Sequence, residues 1–135
     1  MSARPNPGRN STLANIILWV LQVLLAAEFL YSGYLLFSGG DTVDTFEQLG
    51  LGQWLRYLTG VLEVAGAIGL LIPRLAGLAA LGLAGVMVGA TATEIFVLAD
   101  GNPVLPLLLL VLSAAVAWFR RASILALLGR GGTTA

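Results

Sequence analysis

Between residues 13 and 119 the chain is little more than four apolar runs of helix length, 13–37, 54–72, 75–99 and 103–119, separated by short turns. A hydrocarbon core of roughly 30 Å takes about 20 apolar residues per helix. Lipid offers nothing to an unpaired backbone amide, so runs of this kind span as helices. The composition is 58% hydrophobic and 10% charged with mean hydropathy +0.91, where a soluble domain has about 25% charged residues. The predicted fold is therefore all-α, an integral membrane four-helix bundle that fills residues 13–121.

The turns between the runs set the predicted topology. Arg4, Arg9, Arg74, Arg120, Arg121 and Arg130 fall at the N-terminus, in the turn after the second run and at the C-terminus. Asp41, Asp44, Glu47 and Asp100 fall in the other two loops. By the positive-inside rule both termini are cytoplasmic, which places the protein in a cell inner membrane. Residues 1–12, with Pro5, Pro7 and Gly8, read as a disordered cytoplasmic tail. The run after it is longer than a signal-peptide core and lacks an A-x-A site, so it reads as an uncleaved first span. Residues 122–135 read as a short cytoplasmic helix or tail.

Residues 38–53 admit two readings. Val43, Phe46 and Leu49 recur every third residue, which suits a short interfacial helix capped by Asp41 and stopped near Gly50. An ordinary acidic loop fits the same residues. Asn102 and Pro103 read as the N-cap and first position of the last helix. Gly85 and Gly89 form a small-xxx-small pair, and Gly60 and Gly66 add small residues to the second span; all four are assigned to close helix packing, with a homodimer as a further use of such a face.

Chemistry concentrates in three carboxylates inside the spans. Counted at 1.5 Å per residue from the outer ends of their helices, Glu28 and Glu63 lie about 15 Å and Glu94 about 9 Å deep. A charge near the bilayer centre costs at least ~2.5 kcal/mol, so these acids face the interior and either pair or stay protonated. Arg56 is the outer-side cation, seven residues before Glu63 on nearly the same face, and is expected to reach Glu94 or Glu63. Tyr31, Tyr57, Thr59, Thr91 and Thr93 are candidate hydrogen-bonding groups. Gln22 reads as a packing residue. Two acids and an arginine round a pocket suit acid–base chemistry; the same groups also suit a purely structural network that fixes helix register.

The runs carry further detail. Leu30 to Gly33, Phe46-Glu47-Gln48-Leu49-Gly50, Gly60-Val61-Leu62-Glu63-Val64-Ala65-Gly66 continuing to Leu71-Ile72-Pro73, and Met87-Val88-Gly89-Ala90 resemble the DoxX-like membrane proteins, over residues 24–120. The resemblance implies a four-helix membrane bundle and, from some relatives, a role as subunit or partner of a quinone-linked oxidoreductase. It marks Glu63 as the family glutamate, with Gly60 and Gly66 as its close-packing neighbours. Members often carry a lysine where this chain has Leu36 and a histidine where it has Glu94, so the site here is weighted toward acids.

Cysteine and histidine are absent, so the chain has no thiol or imidazole with which to hold a metal or haem, and any redox centre is borrowed. The net charge of zero gives no footprint for nucleic acid. The function read from these features is binding of a lipophilic, quinone-like molecule, or service as the membrane subunit of a redox complex. A cofactor-free cyclase or isomerase acting on a lipid-soluble substrate through its glutamates is one alternative. A small proton-coupled exporter is another, opposed by the placement of six of the seven arginines on one side.

Overall fold

The computed structural model describes residues 7–98 and 101–129. Six helices follow in order: α1 (Pro7–Ser38), α2 (Asp41–Leu49), α3 (Trp54–Leu70), α4 (Ala76–Phe96), α5 (Val104–Phe119) and α6 (Arg121–Gly129). There is no strand among the described residues. Helix α1 starts at Pro7, ahead of the predicted start at residue 13, because proline lacks only an amide that the first turn leaves unbonded anyway. The later part of the expected tail is thus helical. Residues 1–6, 99–100 and 130–135 lie outside the described residues.

Of the two readings of residues 38–53, the helix is the one formed. Gly40, at φ +69°, precedes its first turn, and Asp41 makes no side-chain cap. Asp41 and Asp44 instead occupy that first turn, where carboxylates complement the helix dipole. Gly50 ends the helix in the left-handed region at φ +73°, its N–H donating to the Glu47 carbonyl at 3.0 Å. At the other loop, α5 starts one residue later than predicted. Asn102 Oδ1 accepts from the Val104 N–H at 3.0 Å, so the asparagine caps from just outside the helix.

The four longer helices pack in a cycle, α1 on α3, α3 on α4, α4 on α5 and α5 back on α1. Helix α2 bridges the end of α1 and the start of α3, and α6 packs beneath α4. Phe29, Leu70, Leu83 and Val116 are fully buried at the centre. Large apolar side chains such as Ile17, Leu24 and Val104 point outward at more than 60% exposure, a surface suited to lipid. By length and composition α1 and α4 can each cross a membrane, and α5 with α6, bent by 56° at Arg120, can make a third crossing. The 17 residues of α3 reach about 25 Å, short of a full untilted span.

Two features hold the helices in register. A Cβ on Gly33 would stand 2.7 Å from Val64 Cγ2 and 3.3 Å from the Gly60 carbonyl, so α1 and α3 meet backbone to backbone. At the opposite end, fully buried Gln22 donates through Nε2 to the Leu70 carbonyl at 2.7 Å and accepts from Arg120 Nε at 2.7 Å. One amide thereby joins α1 to the last turns of α3 and α5.

The glycines divide into two kinds. A Cβ on Gly66 would sit 2.6 Å from Leu83 Cγ and Cδ2, and one on Gly60 would sit 2.9 Å from the Phe37 ring, in keeping with their packing assignment. Gly85 and Gly89 differ: a Cβ on either meets nothing within 4 Å. Within the bundle, the predicted small-xxx-small pair is therefore not a helix seam. Gly66→Ala is expected to cost about 1–3 kcal/mol through overpacking against buried Leu83, whereas Gly85→Ala leaves stability unchanged or higher. Thermal unfolding of the two variants in detergent compares them directly, and equal losses would contradict the packing described.

Candidate functional site

A cavity of about 550 Å³ lies between α1, α3, α4 and α5, with α2 forming one wall. Most of its lining is apolar, including Leu36, Phe46, Met87 and Leu109. Glu28 from α1, Glu63 from α3 and Glu94 from α4 all border it. Each sits on a different helix, and the reason lies in solvation: a carboxyl in an apolar run has no acceptable outward face, so each helix turns its acid inward. The convergence expected of the three acids is what the packing produces.

Glu63 is the most enclosed of them, only 3% exposed, and its Oε1 has no hydrogen-bond partner. Its polar neighbours are on α1: Ser32 stands near the carboxyl without bonding Oε1, and Glu28 lies within electrostatic reach. Glu28 is half-buried. Glu94 takes a different role at the cavity's edge. Its Oε2 accepts from the Asn102 N–H at 2.9 Å, and a Cβ on Gly101 would overlap the Glu94 carbonyl at 1.9 Å. Glu94 thus fastens the loop between α4 and α5 while it borders the cavity. The three acids do not gather into a metal-binding cluster among the described residues.

Arg56 corrects the expected ion pair. It is buried, at 6% exposure, but its hydrogen bonds go to Gln53 Oε1 at 2.8 Å and, through Nη1, to the Leu36 carbonyl, and not to Glu63 or Glu94. The guanidinium carbon also stands 4.3 Å from the centre of the Tyr57 ring. Gln53 in turn donates through Nε2 to the Val43 carbonyl of α2 at 3.0 Å. Arg56 is absent from the cavity lining and joins the end of α1, the start of α3 and α2. Leu36 lies within the last turn of α1, where helix carbonyls lack intrahelical donors, and this is why the arginine turns there.

The remaining candidates separate in the same way. Thr59 lines the cavity, its Oγ1 donating to the Leu55 carbonyl at 2.8 Å. Tyr31 is 60% exposed and points away, and Tyr57 is half-exposed against Phe37 and Arg56. Thr91 does not line the cavity, and its buried Oγ1 has no partner. Gly85 and Gly89 do line it, which explains the empty space above them. Their missing side chains make room in the cavity. Ser32, Thr42 and Thr45 also line it without having been picked out from sequence; small hydroxyls in apolar helices carry no signal beyond their spacing from a known site residue.

With this geometry in place, comparison with known proteins is direct. The DoxX-like family model matches residues 20–116, most of the chain, and the protein belongs to that family. Its apolar helices and family membership make it a multi-pass membrane protein. Neither a curated protein nor a solved structure matches it.

The Arg56 arrangement makes a prediction about stability. Arg56→Met removes the donors to Leu36 and Gln53 and is expected to cost about 2–3 kcal/mol, since hydrogen bonds to a buried charged group are among the stronger ones. Arg56→Lys recovers little, because an ammonium lacks the planar fork that reaches both acceptors while stacking on Tyr57. Unfolding temperatures of both variants in a fixed detergent test this, and a wild-type value for Arg56→Met would rule the bridging role out.

Proposed function

We propose that the protein is a four-span inner-membrane protein that binds a small lipophilic molecule of the quinone class in the cavity around Glu63, and that it serves as the membrane subunit presenting that molecule to a redox partner. The observation that carries the reading is the unpartnered Oε1 of nearly fully enclosed Glu63 on a largely apolar cavity. A buried polar atom without a partner is costly unless something supplies one. The volume falls within the range of about 300–1,000 Å³ common for small-molecule sites, and an apolar lining with few polar groups is their usual chemistry. The absence of cysteine and histidine is why the redox centre is assigned to a partner.

In this reading α3 and α5 cross as the shorter members of the bundle, with the arginine-rich turns and both termini in the cytoplasm. The cavity then opens in the outer half, beneath α2. Accessibility labelling of single cysteines introduced at Asp44 and Arg74 in an otherwise cysteine-free chain is expected to place them on opposite sides. Labelling from one side alone would overturn the topology.

A second reading draws on the nearness of Glu28 to Glu63, two carboxyls with unlike environments in one cavity, as in acid–base isomerases. Mass spectrometry of lipophiles extracted from gently purified wild type and Glu63→Gln separates the two. The binding reading expects a quinone-type molecule with the wild type, reduced about tenfold in the variant, in line with loss of a hydrogen bond at a buried carboxyl. Ordinary phospholipid alone in both would contradict it. A substrate and its isomer together would favour the acid–base reading.

A further inference from the structure

Close packing accounts for Gly33, Gly60, Gly66, Gly69 and Gly77, where an added Cβ would stand less than 3.0 Å from an atom packed against it. Gly85 and Gly89 of α4 have no such neighbour, although glycine is among the poorest helix formers. Both line the cavity, and both are exposed. Four residues apart, they lie one above the other on one face and bare about 6 Å of helix surface. Helix register brings that turn level with Glu63. Gly69 meets Ala79 and Gly66 meets Leu83 across the antiparallel α3–α4 pair. One further turn along, Glu63 stands level with Val86 and Met87, between the two glycines. Glu63 lines the same cavity, is 3% exposed and has an unpartnered Oε1. A bare strip of backbone and an unsatisfied carboxyl oxygen thus border one space at one height.

We propose that Gly85 and Gly89 form the subsite for a planar ring: a six-membered ring lies flat on the bared turn of α4 and turns an oxygen substituent toward Glu63. This rests on the lipophile-binding reading above and names where the ligand's ring sits and what shape it takes. A ring of that size is about as wide as the bared turn is long, and it makes dispersion contact over its whole face only where no Cβ holds it off. A methyl group at either position would lift the ring and open a gap, over which such contacts fall away steeply. A puckered ring touches the strip through only some of its atoms, so the subsite discriminates by flatness. Helix stability would favour alanine at both positions, so stability and binding pull in opposite directions there. Gly82 supplies the contrast. A Cβ on it also meets nothing within 4 Å, but it lines a separate groove between α3 and α4 and not the cavity.

The test uses the full-length protein in nanodiscs and two probes, a short-chain quinone and the saturated cyclohexanedione with the same substituents, which keeps both oxygens on a puckered ring. Affinities are read by calorimetric titration, with unfolding temperature and oligomeric state measured in detergent. The wild type is expected to bind the quinone about tenfold more tightly than the dione. The double variant Gly85→Ala with Gly89→Ala is expected to unfold at or above the wild-type temperature, to bind the quinone about tenfold or more weakly, and to lose the preference for the flat ring. Gly82→Ala is expected to share the gain in stability and to bind as the wild type does. Undiminished quinone binding in the double variant, or equal binding of the two probes by the wild type, would overturn the subsite while leaving the lipophile site standing. A wild-type dimer that the double variant converts to monomer would assign the glycine face to a second copy and overturn the subsite too. Failure of folded wild type to bind either probe would overturn the lipophile reading and the proposal with it. If the double variant does not fold, the single variants Gly85→Ala and Gly89→Ala take its place beside the wild-type comparison of the probes, and wild-type affinity in both would count against the subsite in the same way.

Discussion

The close approach of α1 and α3 at Gly33 and Gly60 is the contact on which the site depends. Only with no Cβ on Gly33 can the Val64 side chain and the Gly60 carbonyl come so near α1. That proximity brings Glu63, the residue before Val64, beside Ser32, the residue before Gly33. In lipid, where burial of apolar surface gives helices little reason to associate, close backbone packing is the main source of attraction. The same contact therefore holds the pair together and creates a polar spot inside it. Gln22 fixes the opposite end, and the cavity occupies the space that the α1–α3 pair leaves against α4.

Arg56 shows how a chain with few charges distributes them. A buried guanidinium has five donors and needs acceptors more than it needs a countercharge. The last turn of α1 offers one at Leu36, and Gln53 offers another while holding α2 through Val43. Because the arginine is occupied there, the carboxyls of the cavity keep no basic side chain among the lining residues. The lack of a cation in the cavity lining is thus a consequence of how the outer end of the bundle is tied.

Much of this was legible in the chain itself. The apolar runs placed all four long helices, since hydropathy over twenty residues integrates to a strong signal, and the Gly50 stop emerged from a local rule about positive φ. The meeting of Glu28, Glu63 and Glu94 followed from the cost of facing lipid. What sequence could not supply was which neighbour each inward group would meet. Charge matching pointed Arg56 at a glutamate, yet the unbonded carbonyl of Leu36 has no signature in residue type. The spacing of Gly85 and Gly89 pointed to a helix seam, but glycine gives the same pattern whether a backbone or an empty cavity lies against it. The start of α1 at Pro7 was hidden by the polar residues that follow, whose weak helix preference is outweighed by continuity with the long helix beyond.

The central claim is that the free oxygen of Glu63 is where a ligand head group binds. Infrared difference spectroscopy, recorded as a short-chain quinone is added to the protein, observes that carboxyl directly. The account predicts a change in a carboxyl band that disappears in folded Glu63→Gln. A ligand-induced spectrum identical in wild type and variant would show that the head group binds without Glu63 and would contradict the account.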